Sequence, residues 1–488
     1  MPHTHHKRLL LLIVFVISFT PAWALRTGRM STWNRTTKAG PDAEVPGWYI
    51  NLGITGARAL IDENKPRQLV IKYVFKDTPA WGLLKEGDIV IGANGKDFVT
   101  PHKFGYGVGK FGYQGPMMDF GNALEASQGK LFRTLSLKVL RDGDEIKVKI
   151  KLPNTYGMYS KTYPYDCKKT DLILEENYAH LLKNQKDDGT WHRRPHIQAF
   201  ATLALMASGN PKHMPAVKKA VTAMAKVTGA KLTLRGLDCW KYGMFGATLA
   251  EYYLLTGEKW VLPELQEINS WIEQAQAPNG GWGHRPHRKE GNGYGAIQVI
   301  TMQCKMAWSL MMRCGIKVDE KRYQAAHDFA VRGTNKIGYV WYKDRGKDKP
   351  KYADMGRTGA SALAHSLSPV GGKTYQDFAR LNASCIGNNP DTFHDTHGSP
   401  LLGLAWTGLG AHVDAGSFRK LMDHNRWFFS LSQCVDGTFY YQPNRDNNPQ
   451  DYAAGPRLSA TAATALILSV KFKKLQMTGA KLVTREAK

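Results

Sequence analysis

Two distant stretches carry the same reactive side chains in nearly the same order: Trp191-His192-Arg193-Arg194-Pro195-His196 and Trp282-Gly283-His284-Arg285-Pro286-His287. A third run, His394-Asp395-Thr396-His397, adds two imidazoles and a carboxylate. Asp238, Tyr294, Asp354 and Arg357 stand in other segments that share the same sequence setting. Imidazole and phenol groups transfer protons, and a guanidinium neutralises a carboxylate or a developing oxyanion. On these grounds His394, His397, Arg357, Tyr294, Asp395, Asp354 and Asp238 are the catalytic candidates. A glycosidase would instead use two carboxylates at a defined separation, and Asp238, Asp354 and Asp395 supply the type. Zinc is the one cofactor whose ligand types are present: His394 and His397 with two of His192, His196, His284 and His287. Their spacing is no specific ligand motif, so no cofactor is expected and zinc is the secondary possibility.

These residues sit in loops that recur at intervals near fifty residues, and such a period sets the fold before any motif does. The loops include Asp188-Gly189-Thr190-Trp191, Asn279-Gly280-Gly281-Trp282, Ile337-Gly338-Tyr339-Val340 and Asp436-Gly437-Thr438-Phe439. Each follows an amphipathic segment, such as 171–185 or 417–433. Each precedes a nearly uncharged one rich in Ala, Gly, Ser and Thr, such as 197–208 or 459–472. A helix without a polar face must be buried on most sides. Six such pairs predict twelve helices, outer-polar alternating with inner-apolar. An open solenoid would need polar caps, whereas the last helix, Thr461 to Ile467, is as apolar as the others. The spacing therefore predicts a closed double ring over 171–472, with all six loops gathered at one end.

This arrangement resembles the six-hairpin α/α toroids of terpenoid cyclases, protein prenyltransferases and complement thioester domains. The Gln-x-x-x-Asp-Gly-x-Trp run at Gln185 to Trp191 is similar to the aromatic repeat of the cyclases, in which Gly turns the chain and the aromatic packs between hairpins. The activities of those families do not follow. There is no Asp-x-Asp-Asp run, Asp238 and Cys239 are adjacent where the prenyltransferase zinc site has Asp-x-Cys, and Cys-Gly-Glu-Gln is absent. The sharper expectation is a glycan-active site: polysaccharide lyases on α/α toroids use Arg or Lys against a uronate carboxylate and His or Tyr as proton carriers, and the loops supply all those types. Cys239, Trp191, Trp240 and Trp282 read as packing residues, and Arg357 and Arg457 read equally well as ties between loops.

The preceding segment, 46–153, alternates like strands. It contains Pro79-Ala80, where Pro79 suits a first helical turn, then Leu84, Gly87-Asp88-Ile89, Asn94-Gly95 and the hairpin turn Arg141-Asp142-Gly143-Asp144. This succession resembles a PDZ domain of the circularly permuted bacterial type, interrupted by a Gly- and aromatic-rich insertion at 98–121. The resemblance implies that Asn51, Leu52, Gly53 and Ile54 form the loop that receives a peptide C-terminus, with the peptide adding a strand to the sheet. Residues 154–170 read as a linker and 473–488 as a basic tail. A PDZ-like domain followed by such a toroid also resembles a family of secreted bacterial proteins.

Lys7-Arg8, the apolar run Leu9 to Phe19 and Ala22-Trp23-Ala24 make residues 1–24 a signal peptide, with 25–45 a polar leader. The expected destination is periplasmic or secreted, with no stable transmembrane anchor. The chain has 488 residues and a formal net charge of +25, from 66 Lys and Arg against 41 Asp and Glu. Export removes nucleic acid as the partner, and no zinc-finger spacing or basic heptad helix is present. The expected molecule is thus α+β and multidomain: a small β-rich PDZ-like domain and a large all-α (α/α)6 toroid. Its toroid is expected to bind and process an anionic polysaccharide, lyase- or hydrolase-like. The alternative is a non-catalytic periplasmic scaffold that recognises peptide or protein C-termini.

Overall fold

The computed structural model describes residues 49–62, 64–102, 115–192, 194–226, 238–286, 295–344, 354–393, 400–442 and 456–485. Residues 1–24 and 25–45, expected as signal peptide and leader, lie outside this set. The first domain is an antiparallel sheet of β1 (Ile50–Asn51), β2 (Ala57–Asp62), β3 (Lys65–Val74), β4 (Ile89–Ala93), β5 (Lys96–Asp97), β6 (Thr134–Arg141) and β7 (Asp144–Lys151), covered by α1 (Pro116–Gln128). The spatial order is β1-β2-β3-β4-β6-β7, with β5 paired to β4. Period-two alternation sets the register: Leu135 faces Ile150 and Leu137 faces Val148, all buried beneath Met117, Phe120 and Leu124 of α1. Asp142 and Gly143 turn the hairpin with φ of 53° and 97°, as a two-residue turn of this twist requires. Two expectations change. The helix starts at Pro116, inside the stretch read as an insertion, because Pro suits a first helical turn. Residues 77–84, expected to begin a helix at Pro79, form turns.

The second domain is the double ring. The outer helices are α2 (Lys168–Lys183), α4 (Met214–Ala225), α6 (Leu262–Ala275), α8 (Glu320–Arg332), α10 (Gly372–Gly387), and the pair α12 (Ala415–His424) and α13 (Arg426–Ser432). The inner helices are α3 (Pro195–Ala207), α5 (Asp238–Thr256), α7 (Gln298–Arg313), α9 (Gly356–Ser366), α11 (Pro400–Ala411) and α14 (Pro456–Leu468). Each inner helix packs on the next, and α14 returns to α3, which closes the ring. The centre is filled, with the Phe200 and Trp406 rings 5.1 Å apart. The segment 417–433, expected as one helix, breaks at Asn425, whose side-chain amide donates to the carbonyls of Pro390 and Leu421 at 2.8 Å each.

The expected basic tail is instead a strap across the ring at the end away from the repeat loops. The Gln476 and Met477 amides donate to the Glu251 carboxylate of α5 at 2.9 and 2.8 Å. Arg485 donates through its backbone to the Arg313 carbonyl at 2.7 Å and through its guanidinium to the Leu254 carbonyl. The expected linker is equally ordered. Tyr156, Tyr159 and Tyr163 are buried, and the Tyr156 hydroxyl donates to Glu176 of α2.

Candidate functional site at the loop-bearing mouth

The repeat loops share one construction. Lys186 donates to the Thr190 carbonyl, Ala277 to Gly281, Asn335 to Tyr339 and Cys434 to Thr438, at 2.7–3.0 Å. Gly280 has φ of 92°, and a Cβ there would strike the Ala325 carbonyl of the next outer helix, so only glycine fits the turn. The aromatic that follows is a wedge. Indole N–H groups of Trp191 and Trp282 donate to the carbonyls of Leu181 and Ile272 at 2.6 and 2.9 Å. The loop is then fastened to its inner helix by backbone N–H bonds. Trp282 donates to Thr301, Val340 to Thr358 and Phe439 to Thr461, at 2.9–3.1 Å. The repeat predicts these wedges, whereas nothing in its spacing singles out the three threonines.

On this frame stand the reactive residues. His196 occupies the first turn of α3, half-buried, and desolvation, aided by the nearby Arg194 and His192 side chains, pushes its pKa down to about 3. His192 accepts the Arg194 backbone N–H at Nδ1, 3.2 Å away. At the next two hairpins, the Trp240 indole donates to Nδ1 of His284 at 2.8 Å. Burial, then the Arg285 charge, lowers the His284 pKa. Both histidines are therefore held neutral near pH 7. Asp238 begins α5. Beside it Lys241 lies over the Tyr242 ring, 4.9 Å from its centroid, its pKa lowered by burial.

Arg357 and Asp354 are brought together, but with each other. The guanidinium bonds Asp354 at 2.6 Å, the Tyr339 hydroxyl at 3.1 Å and the Val340 carbonyl at 3.3 Å, and it is 3% exposed. Arg457 pairs with Asp436 in the same way. These arginines tie repeat loops to inner helices, and the expectation of Arg357 and Asp354 as reacting groups is corrected accordingly. Cys239 is fully buried, and desolvation raises its thiol pKa, which leaves it a packing residue. All six cysteines are buried free thiols. His394, Asp395, His397, Tyr294 and His287 lie outside the described residues. Among the described residues no group of three or more His, Cys, Asp or Glu side chains could hold a metal ion, and His192, His196 and His284 do not form one.

The loop Asn51-Leu52-Gly53-Ile54 is buried against the toroid rather than open. The Asn51 amide donates to the carbonyls of Leu431 and Gln433, and its backbone N–H to Gln442, at 2.7–3.1 Å. Next to Gly53, the Ser430 carbonyl and Leu124 fill the space that a Cβ would take. The same interface carries Arg58 of β2, stacked 3.6 Å from the Tyr440 ring centroid, so the first domain buttresses the last loop of the mouth.

One polar cluster was not anticipated. Lys305 of α7 is fully buried without a hydrogen bond among the described residues, over the faces of Tyr323 and Tyr375 at 4.2 and 4.5 Å. Burial drives its pKa well down. Close by, His327 Nδ1 donates to His365 Nε2 at 2.9 Å, since His365 Nδ1 is engaged with the Ser361 carbonyl at 2.7 Å. A lone lysine in an otherwise uncharged stretch of inner helix was the available signal.

Among solved structures, the chain resembles an α-1,6-mannanase of Salegentibacter sp. HEL1_6 (13% identity, 61% of this chain, 98% of that chain, TM-score 0.45). It also resembles a cellobiose 2-epimerase from Bacillus thermoamylovorans B4167 (13%, 62% and 99%, 0.43). A third is an unsaturated glucuronyl hydrolase from Streptococcus agalactiae (12%, 61% and 91%, 0.40). Likeness at this level assigns no substrate and no catalytic residue. No curated protein matches the chain. A family model described as a domain of unknown function, DUF6288, matches residues 170–479, from the start of α2 into the strap, and the chain belongs to that family.

Proposed function

We propose that this is an exported protein whose toroid mouth binds an anionic glycan and processes it by lyase- or hydrolase-like chemistry. The observation that carries the reading is a pair of neutral imidazoles beside arginines at two of the repeat loops: His196 with Arg194, and His284 with Arg285, the latter bonded by Trp240 of the loop between them. A neutral imidazole keeps a lone pair for a hydrogen bond or a proton in transfer at pH 7, and a neighbouring cation holds a uronate carboxylate and stabilises the enolate that proton abstraction leaves. With Arg357 committed to Asp354, the carboxylate-binding role falls to Arg194 and Lys241. His394, His397 and Tyr294 remain the proposed proton carriers, and Asp238 and Asp395 the carboxylates of a hydrolytic variant. The net charge of +25 supports an anionic ligand.

The second reading is a non-catalytic scaffold whose PDZ-like domain captures peptide C-termini. The antiparallel sheet, α1 and the Gly53 loop support it, but a peptide would have to displace residues 430–442. The test is a panel of uronic-acid and neutral polysaccharides, scored for binding by affinity electrophoresis and for unsaturated or reducing ends. Turnover abolished by His394→Ala or His397→Ala, with unchanged melting, supports the enzyme. Glycan binding without turnover removes the enzymatic part of the reading, and failure of every glycan to bind sinks the glycan site. Binding of peptides with apolar C-termini to the full chain, lost in Gly53→Asp, would support peptide capture.

A further inference from the structure

The first domain carries a surface that the mouth does not use. Leu131 and Phe132, in the turn between α1 and β6, are 83% and 77% exposed. Two large apolar side chains side by side in water are costly for a folded protein unless something covers them. Met158, 46% exposed, lies against Gly129 and extends the same patch. Cations surround it. Lys130 precedes the pair and Arg133 follows it, and Thr134 at the start of β6 is paired with Lys151 and Ser136 with Lys149. Directly opposed residues share a sheet face, so Lys149 and Lys151, both exposed, stand on the outer face beside the turn. The acidic end of the hairpin, Asp144 and Glu145, is seven residues along the strand, about 23 Å away. Asp97 and Asp119 lie in a neighbouring groove of about 500 Å3, which Lys96 and Lys130 share.

We propose that this face docks on an anionic lipid surface, with Leu131 and Phe132 inserted among the acyl chains and Lys130, Lys149 and Lys151 on the headgroups. Lysines on an edge strand also deter strand pairing, but that role leaves the adjacent leucine and phenylalanine unexplained. A purely ionic partner would leave them equally unused. An apolar tip ringed by cations matches the layered chemistry of a bilayer interface, hydrocarbon beneath anionic charge. No described helix is long and apolar enough to cross a membrane, so docking of this kind would be peripheral and reversible.

The experiment is co-sedimentation of the full chain with vesicles of phosphatidylcholine alone or mixed with phosphatidylglycerol. The expected result is binding to the anionic vesicles only, weakened by salt. Leu131→Asp with Phe132→Asp should abolish it, and Leu131→Ser with Phe132→Ser should do the same with an unchanged circular dichroism spectrum. Lys149→Glu with Lys151→Glu should weaken it roughly fivefold or more per cation removed. Wild-type chain that stays in the supernatant with both vesicles overturns the proposal. So does anionic binding that persists undiminished in the Leu131 and Phe132 variants. A concentration-dependent dimer abolished by those variants, without vesicle binding, also overturns it and makes the face a self-association site.

Discussion

Arg357 and Lys305 are both buried cations on inner helices, and their surroundings give them opposite roles. Arg357 has a carboxylate, a hydroxyl and a carbonyl around its guanidinium. Truncating it leaves Asp354, 8% exposed, without that partner. Arg357→Ala should therefore cost about 3–5 kcal/mol of stability, read as a fall in the urea midpoint. A variant that keeps full stability while losing an activity would restore Arg357 to the reacting groups. Lys305 faces only rings and neutral imidazoles. Its folded pKa is depressed, so the unfolded chain binds the extra proton, and stability should rise with pH between the depressed folded value and the ordinary lysine range. Lys305→Met should stabilise the protein at pH 7, by about 1–4 kcal/mol, and flatten that rise. Destabilisation by the methionine would mean that the amine has a partner essential to the fold.

At the scale of elements, the strap is held in part by one titrating carboxylate. Burial raises the Glu251 pKa to about 7 despite the two amides that bond it. A raised carboxyl pKa means that the folded state holds the proton longer. Stability from this group is complete below the ordinary glutamate value near 4.5 and is lost as pH rises through 7. Glu251→Gln should remove that fall, seen as a flatter urea midpoint between pH 4.5 and pH 8. An unaltered profile would show that the carboxyl titrates elsewhere. The strap is not legible in the sequence because Lys473, Lys474 and Lys481 give the segment the composition of a solvated tail, while the Glu251, Leu254 and Arg313 acceptors that fasten it lie on distant inner helices. The ring itself was legible, since glycine turns and uncharged inner helices recur with a fixed period. The break at Asn425 was not, because the amphipathic pattern runs through it and the carbonyl that captures the side chain belongs to distant Pro390. At the mouth, the wedges and histidines were visible as types. Their neutrality and the private pairing of Arg357 with Asp354 depend on burial, which spacing does not report.

On the scale of the whole molecule, Glu125 of α1 is one junction between the two domains. Its carboxylate accepts from Lys169 of α2, from Ser430 of α13 and from the Tyr159 backbone, at 2.5–2.6 Å. The two domains should therefore melt in one calorimetric transition. Glu125→Ala, which strands a fully buried lysine, should lower that transition and separate it into two. Two resolved transitions in the unaltered protein would show that the interface carries no cooperativity. The strap across one end and the Phe200–Trp406 contact at the centre have a kinetic corollary. A ring blocked at its base and axis offers a polymer no route through, so chain and product must share the same threshold. For a glycan handled there, release would compete with entry, retention would favour chain ends over threading, and accumulated product would slow the next encounter.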